Sequence, residues 1–190
     1  MFDGSKEIAP SVYLYKNFLT QEENSTMLDL ILSEKEELWY SVGHGENAIF
    51  ILRTETVDPL RDKIANICPE GLDPVFNLNV NRLSSGITYG EHVDINNSGH
   101  ILEAAKKYIE GEDFIIGNYP RFGLVYYFND QYDQGEIYYP ELGLTHKPSP
   151  GDLVIHAADI LHGTNPPING IRYSYTSSYT EKFKMSKDEL

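Results

Sequence analysis

Two histidines and one aspartate have the types and spacing that could bind a metal ion. His92 and Asp94 are separated by one residue, and residues i and i+2 of a β-strand point to the same side, where an imidazole and a carboxylate would converge. His162, within residues 150–164, is the candidate third ligand. Two histidines and a carboxylate form the facial triad of non-haem iron(II) sites, which leaves coordination positions open for catalysis. The alternative is that this His-x-Asp triplet is a surface or core feature without metal, as most such triplets are.

Arg172, ten residues after His162, could bind a small acid held by the same metal. A 2-oxo acid can chelate a metal through its 2-oxo group and the adjacent carboxylate, and its distant carboxylate then needs a buried cation. A guanidinium group binds a carboxylate through two parallel hydrogen bonds. Strand parity would place Ser174 and Thr176 on the same face as Arg172, where a hydroxyl group could share that carboxylate. The alternative is that Arg172 lies on an outward strand face and pairs with one of the many acidic residues.

The N-terminal part of the chain is expected to be largely helical. Residues 20–23, TQEE, form a capping-box signature that predicts the start of a helix. The residues expected to form its buried face are Met27, Leu28, Leu30, Ile31 and Leu32. Further helices are expected over residues 59–67 and 101–109, where apolar residues recur at helical spacing. Residues 39–54, which contain two glycines, are expected to form a hairpin or a mobile flap.

From residue 75 onward, short segments rich in Val, Ile, Tyr and Phe alternate with turns, which indicates a β-sandwich or barrel. The fold class expected is therefore α+β and mainly β. The expected strands, with one before the first helix, are 12–18, 76–83, 88–94, 123–128, 135–139, 152–156 and 172–179. A single domain over residues 1–190 would comprise a helical part (about 1–74), a β core (about 75–180) and a charged tail (181–190).

Motifs along the chain resemble those of the prolyl 4-hydroxylase-like branch of the 2-oxoglutarate oxygenases, over residues 10–179. Residues 89–94, YGEHVD, are similar to that family's Tyr-x-x-His-x-Asp. Residues 134–140, QGEIYYP, are similar to its Gly-Gly-Glu-Thr-x-Phe-Pro. The other matches, which follow in the family's order, are YYFN at 126–129, KPSPGD at 147–152, HG at 162–163 and GIRY at 170–173.

The resemblance implies a double-stranded β-helix, a jelly-roll or cupin-like core, with the N-terminal helices packed on one sheet. The residues it assigns to iron(II) are His92, Asp94 and His162, and Arg172 would anchor 2-oxoglutarate. Tyr127 matches a tyrosine that, in related hydroxylases, donates to the distant carboxylate of the co-substrate, and packing inside the barrel is the alternative for it. Further candidate donors to that carboxylate are Ser174 and Thr176.

The activity that the resemblance implies is hydroxylation of an unactivated C–H bond. The implied cofactors are iron(II), 2-oxoglutarate and dioxygen, and ascorbate is a further candidate. The implied partner is a peptide or protein with a prolyl residue, while free proline or another small molecule is an alternative substrate. Two other classes of protein stay open, a metal-dependent barrel protein that is not an oxygenase and a binding module without catalysis. Residues 43–45 are a candidate flap over the substrate.

Three positions depart from the collagen-type enzymes of the family. Leu83 stands where those enzymes have a tyrosine in the co-substrate pocket, and Ile137 stands where they have a threonine. Arg172 replaces their lysine, although arginine is common elsewhere in the superfamily. Asp94 favours oxygenation, because related halogenases have a small residue at that position so that chloride can bind.

The remaining histidines are expected to lie outside the metal site. His156 is expected to be a hydrogen-bonded barrel residue, because the tenth residue after it is Pro166, which cannot anchor a carboxylate. The others, expected in loops or at the ends of elements, are His44, His100 and His146, and His44 could also reach the site from a flap.

The formal net charge of −14 makes nucleic acid and anionic membranes unfavourable partners. Cys68 is the only cysteine, so no intrachain disulfide can form, which suits a reducing compartment. No secretory signal is recognisable at the N-terminus, and the cytoplasm is the expected location. Residues 187–190, KDEL, spell an endoplasmic-reticulum retrieval signal. They are interpreted as a chance ending, with the lumen of that organelle as the alternative.

Overall fold

A large antiparallel β-sheet forms the framework of the protein, with helices on one face and a smaller sheet on the other. The computed structural model describes residues 2–42, 49–95 and 114–186. The α-helices within these ranges are α1 (Gln21–Ser33) and α2 (Asp58–Asn66). The strands are β1 (Lys6–Ala9), β2 (Val12–Tyr15), β3 (Trp39–Val42), β4 (Ile49–Arg53), β5 (Asp73–Leu83), β6 (Phe114–Tyr127), β7 (Asp133–Gln134), β8 (Ile137–Tyr139), β9 (Leu144–His146), β10 (Leu153–Ala157), β11 (Gly163–Thr164), β12 (Pro167–Ile168) and β13 (Arg172–Ser186).

The chain winds between the two sheets in the manner of a double-stranded β-helix. The large sheet has the strand order β1-β2-β10-β6-β13-β5-β4-β3, and the smaller sheet has the order β11-β8-β9. His92 joins the smaller sheet through a single bridge to His162, immediately before β11. From β5 onward the chain therefore visits the large sheet at β5, β6, β10 and β13 and the smaller sheet between these strands. This jelly-roll winding confirms the predicted fold class.

Alternate residues of the central strands supply two separate hydrophobic clusters. Leu124 and Tyr126 of β6 belong to the cluster beneath the helices, whereas Val125 and Tyr127 belong to the cluster between the two sheets. This alternation follows from the two-residue side-chain period of a strand. The helical residues buried in the first cluster are Met27, Ile31, Leu60 and Ile64. The prediction that the N-terminal helices pack on one sheet is thus confirmed.

Helix α1 begins at the capping box that the sequence predicts. The Thr20 side chain accepts a hydrogen bond from the Glu23 backbone amide, and the Glu23 carboxylate accepts one from the Thr20 amide. Two amide groups that lack partners in the helix are satisfied in this way.

The buried face of α1 is narrower than expected. Met27 and Ile31 are buried, but Leu30 and Leu32 are 51% and 53% exposed, so the prediction that both lie in the core is wrong. Residues spaced by three or four share one helical face, and Asn24 completes the stripe of Met27 and Ile31. The Asn24 side chain donates to the Phe128 carbonyl (2.9 Å) and accepts from the Tyr126 hydroxyl (2.7 Å).

Residues 39–42 and 49–53 form two paired strands, in agreement with the hairpin that was one of two predictions for this segment. Strands β3 and β4 pair in an antiparallel register in which Trp39 opposes Leu52, and β4 continues the large sheet from β5. Residues 43–45, the candidate flap, lie outside the described residues. The hairpin therefore extends one edge of the large sheet.

The strand expected over residues 88–94 does not form, and this prediction is wrong. His92 pairs with His162, while the Thr164 amide donates to the Tyr89 carbonyl (3.1 Å). Two residues thus lie between the two contacts on one side, and one residue lies between them on the other. A regular ladder requires equal spacing, so the extra residue breaks the strand.

Strands β6 and β13 are longer than the sequence predicts. They pair along a register that ends with Ser186 opposite Phe114, so β13 continues beyond residue 179, where a strand end was expected. Several predictions concern residues outside the described ranges. These residues are 101–109, where a helix was expected, His44, His100 and 187–190. In the three ranges given above, no helix is long and apolar enough to cross a membrane.

Candidate metal centre

The structure brings the three candidate ligands around one point. The ligand atoms of His92, Asp94 and His162 all lie within 4.8 Å of one another. The Asp94 Oδ1 atom is 3.7 Å from His92 Nε2 and 3.9 Å from His162 Nε2. One cation placed between these atoms would meet two nitrogens and one oxygen, the donor set of a non-haem iron(II) site.

Backbone carbonyl groups set the tautomer of both candidate histidine ligands. His92 Nδ1 lies 2.7 Å from the Gly90 carbonyl oxygen, and His162 Nδ1 lies 3.0 Å from that of Ile160. Because a carbonyl oxygen only accepts, each Nδ1 carries a proton and donates. In the neutral imidazole each Nε2 then has a free lone pair toward Asp94, as a metal ligand requires.

The same groups favour the charge states that bind metals. Burial, followed by the nearby His156, lowers the pKa of His162 to about 4, so its imidazole is neutral at neutral pH. Burial alone would raise the pKa of Asp94, but the hydrogen bond from His156 and the neighbouring imidazoles hold this pKa below its usual value. Asp94 is therefore a carboxylate.

A reciprocal backbone pair places the two histidines side by side. The His92 amide donates to the His162 carbonyl (2.9 Å), and the His162 amide donates to the His92 carbonyl (3.0 Å). Residues paired in this way project their side chains to the same face, and the two imidazole centres are 4.4 Å apart. A cross-strand pair, and not a regular strand over residues 88–94, thus builds this half of the site.

His156 lies closer to the site than the sequence predicts. It is fully buried and hydrogen-bonded, as expected of a barrel residue, but its Nε2 atom lies 3.1 Å from Asp94 Oδ2. Its Nδ1 atom lies 3.1 Å from the Tyr139 hydroxyl. Strand parity could have indicated this position, because Val154, two residues earlier on β10, also faces the space between the sheets.

Gly123 gives the Asp94 carboxylate its space, a role that sequence reasoning missed. A Cβ atom at this position of β6 would lie 1.8 Å from Asp94 Oδ2 and 2.7 Å from His156 Nε2. Real side chains do not approach this closely, so only glycine fits here. A glycine inside a strand is a known signal of close approach by another group.

A cavity of about 430 Å³ connects the metal site with Arg172. This volume lies within the usual range for small-molecule sites. The predicted residues that line it are His92, Asp94, Tyr127, His162, Arg172 and Thr176. Thr176 and Asn81 are in weak contact, at 3.4 Å. Of the three departures from the collagen-type pattern, Ile137 and Arg172 line the cavity and Leu83 is fully buried opposite Arg172.

Three buried polar atoms near Arg172 have no hydrogen-bond partner in the part of the chain that is described. They are Arg172 Nε, Tyr127 Oη and Ser174 Oγ. Arg172 is only 2% exposed and donates from Nη1 to the Gly135 carbonyl (3.2 Å), and its guanidinium carbon lies 5.4 Å from the Tyr127 ring centre. Ser174 opposes Tyr127 across β13 and β6. An unpaired buried polar atom is costly, so this end of the cavity is suited to an anionic ligand.

Tyr127 has the protonation state of a donor. Burial raises its pKa to about 12, although the Arg172 charge acts in the opposite direction. The phenol therefore keeps its proton near neutral pH. Tyr132, which sequence reasoning did not single out, has a second unpartnered buried phenol among the described residues. Burial raises the pKa of Tyr132, and the Arg172 charge acts in the opposite direction.

The fold and the candidate site agree with the motif resemblance. A double-stranded β-helix with two histidines and an aspartate at one end of its cavity is the arrangement that the resemblance to the 2-oxoglutarate oxygenases implies. No protein-family model and no curated protein sequence matches the chain. Solved structures do match it, and the resemblance inferred from the motifs is confirmed at the level of the fold.

Three of the similar structures illustrate the range of this fold. A viral collagen prolyl hydroxylase from Paramecium bursaria Chlorella virus-1, in complex with 2OG, has a TM-score of 0.61 at 15% identity, covering 92% of this chain and 99% of its own. A Pseudomonas putida prolyl-4-hydroxylase has a TM-score of 0.59 at 16% identity, covering 90% and 92%. The non-haem α-ketoglutarate-dependent epimerase SnoN of nogalamycin biosynthesis has a TM-score of 0.59 at 13% identity, covering 90% and 78%.

Proposed function

We propose that the protein is an iron(II)- and 2-oxoglutarate-dependent dioxygenase that hydroxylates an unactivated C–H bond. The observation that carries this proposal is one cavity with two complementary ends. One end has a set of three metal ligands, and the other has a buried arginine whose Nε atom is unpartnered in the described residues. A chelating acid with a distant second carboxylate would satisfy both ends at once.

At the metal end, His92, Asp94 and His162 would hold iron(II). The two imidazoles face Asp94 Oδ1 with their Nε2 atoms, and the carbonyl contacts at Nδ1 favour the tautomer in which Nε2 can bind a metal. When bound, iron(II) would supply the activation of dioxygen, coupled to conversion of 2-oxoglutarate to succinate and carbon dioxide. The protein contributes position, charge and a partly enclosed cavity.

At the acid end, Arg172 and Tyr127 would bind the distant carboxylate of 2-oxoglutarate. The free Nε–H of Arg172 and the Tyr127 hydroxyl are donors, and the Ser174 hydroxyl opposite Tyr127 offers a third donor. Hydrogen bonds to a charged group are worth about 1.5–3 kcal/mol each. This gain offsets the cost of keeping these donors buried without partners.

The proposed substrate is a prolyl residue in a peptide or protein. Support comes from the motif resemblance and from the two prolyl hydroxylases among the similar structures. The epimerase with the same fold shows that the fold alone does not select a substrate, so free proline and other small molecules belong in the test. The net charge of −14 disfavours nucleic acid as the partner.

The test is turnover of 2-oxoglutarate by protein purified without oxygen and then supplied with iron(II), 2-oxoglutarate and air, with and without ascorbate. Proline-rich peptides and free proline are added separately, and succinate and the mass of one added oxygen atom are measured together. We expect substrate-stimulated succinate that is lost in His162→Ala. His146→Ala is the matched control, because His146 also lies beside a buried aspartate, Asp152, at 3.4 Å but outside the cavity.

Each result of this assay has a definite meaning. Succinate without an oxygenated product keeps the oxygenase proposal and rejects the prolyl substrates tried. Folded, iron-loaded protein that forms no succinate with any addition contradicts the proposal, and hydrolysis or isomerisation at the same ligands would then be tested with zinc(II) and manganese(II).

A further inference from the structure

His156 and Tyr139 are buried side chains that contact the metal-binding carboxylate without belonging to its ligand set. Both are fully buried. His156 Nε2 lies 3.1 Å from Asp94 Oδ2, and the other oxygen of that carboxylate, Oδ1, faces His92 and His162. The Tyr139 hydroxyl lies 3.1 Å from His156 Nδ1. The order Tyr139–His156–Asp94 is therefore a chain of two hydrogen bonds that ends on the oxygen turned away from the ligands.

The direction of these hydrogen bonds follows from the Asp94 carboxylate. A carboxylate oxygen only accepts, so the proton between His156 and Asp94 is on His156 Nε2 and is donated to Asp94 Oδ2. In the neutral imidazole, Nδ1 then accepts from the Tyr139 hydroxyl, whose pKa is raised by burial so that it keeps its proton. His156 thus has the tautomer opposite to that of His92 and His162, whose protons are on Nδ1.

The strand register fixes His156 against Asp94. His156 of β10 pairs with Gly123 of β6 on one side and with Val12 of β2 on the other, so its backbone is held between two strands. The missing side chain at Gly123 leaves the space in which Asp94 Oδ2 meets His156 Nε2. The carboxylate is thus confined between a glycine backbone and one donor.

We infer that His156, supported by Tyr139, is a positioning residue that restricts Asp94 to binding the metal through Oδ1 alone. A carboxylate with two free oxygens can bind a metal through both and occupy an extra coordination position. With Oδ2 engaged by His156, that position stays open for the co-substrate. The inference rests on the proposed metal centre, and a partner that orients a ligand in this way is a strong determinant of metal affinity.

The first experiment reads the histidine tautomers by NMR of the full chain with ¹⁵N-labelled histidine, assigned with single-histidine variants. In metal-free protein we expect Nε2–H for His156 and Nδ1–H for His92 and His162. Zinc(II), a diamagnetic substitute for iron(II), should shift Nε2 of His92 and His162 and leave the His156 Nε2 proton in place. An Nδ1–H tautomer of His156, or zinc binding to its Nε2, would overturn the inference.

The second experiment compares cobalt(II) affinity, followed by the visible spectrum of the ion, among variants. We expect His156→Leu to weaken binding about 10- to 100-fold. His156→Gln can still donate to Asp94 and should recover most of the affinity, and Tyr139→Phe should lie between wild type and His156→Leu. In cobalt-saturated protein, His156→Leu should also weaken 2-oxoglutarate binding. The matched control His146→Leu removes a histidine beside the buried Asp152 and should leave cobalt(II) affinity unchanged.

The outcomes separate this inference from the proposed function. Wild-type protein that fails to bind cobalt(II) contradicts the metal centre itself. Wild type that binds the ion, together with a folded His156→Leu that binds it equally well, contradicts only the positioning role. If thermal unfolding shows that His156→Leu does not fold, the tautomers of the wild-type protein decide the question.

Discussion

At the scale of single residues, the site combines buried polar groups that have hydrogen-bond partners in the protein with others that have none among the described residues. The histidines of the proposed metal centre are held by backbone carbonyl groups, and Asp94 is held by His156, so each side chain at this end of the cavity has a hydrogen-bond partner. At the acid end, Tyr127 and Arg172 keep buried donors without partners in the described chain. Such unsatisfied groups in a native protein are typical of ligand sites, where the binding energy of the ligand offsets their cost.

Tyr127→Phe tests this contrast at a single atom. Removing a buried hydroxyl that has no partner should keep or raise the free energy of unfolding, by up to about 1 kcal/mol, while weakening 2-oxoglutarate binding. The matched control is Tyr126→Phe on the opposite face of β6, whose hydroxyl donates to Asn24 at 2.7 Å. This control should lower the free energy of unfolding and leave 2-oxoglutarate binding unchanged.

Urea unfolding and titration with 2-oxoglutarate measure the two effects. If Tyr127→Phe destabilises the protein as much as Tyr126→Phe does and binds 2-oxoglutarate normally, Tyr127 only packs the barrel. That was the alternative interpretation of this residue from the sequence.

At the scale of elements, the central strands of the large sheet supply residues at both ends of the cavity. Strand β6 supplies Gly123 and Tyr127, β10 supplies His156, and β13 supplies Arg172. Because these strands are neighbours in the order β10-β6-β13, their register sets the distance between the metal end and the acid end. The other face of the same strands packs on α1 and α2.

The link between α1 and the sheet gives a prediction at this scale. Asn24→Ala removes the partner of both the Phe128 carbonyl and the Tyr126 hydroxyl, which are buried, and should lower the free energy of unfolding by about 2–4 kcal/mol. Ser25→Ala, at the next position of the same helix, changes an exposed residue and should alter it by less than about 0.5 kcal/mol. Urea unfolding compares the two, and similar values for both would contradict a structural role for Asn24.

At the scale of the whole molecule, the ionisable groups of the site and its surroundings lower the free energy of unfolding as the pH falls. The folded-state pKa of His162 is about 4, against 6.5 for an unperturbed histidine. Between these values the unfolded chain binds a proton that the folded chain does not. The carboxyl groups of Asp94 and Asp152 have pKa values held below 3.8 by hydrogen bonds and nearby charges that outweigh burial, so they stabilise the fold above that pH.

We therefore expect the free energy of unfolding of the metal-free protein to fall as the pH is lowered from about 6.5 to about 4, and to fall further below that as the carboxylates are protonated. Urea unfolding at a series of pH values measures this. His162→Gln should flatten the upper part of the profile and leave the lower part. A profile that is level or rises on acidification would contradict the assigned pKa shifts.

Much of this protein could be predicted from sequence because local chemistry determines it. The capping box at Thr20 acts within one helical turn, and the apolar pattern of α2 needs no distant partner. The candidate ligands His92 and Asp94 are two residues apart, and Arg172 follows His162 by ten, so their grouping could be inferred from order and spacing alone.

Only the tertiary structure decided which residues meet across strands. The contact of His156 with Asp94 joins residues 62 positions apart, and the need for glycine at position 123 depends on the same meeting. The exposure of Leu30 and the broken strand at residues 88–94 were likewise decided by packing and by unequal spacing between paired segments. Such features depend on the register between distant strands, and a change of one residue in that register turns every side chain of a strand to the opposite face.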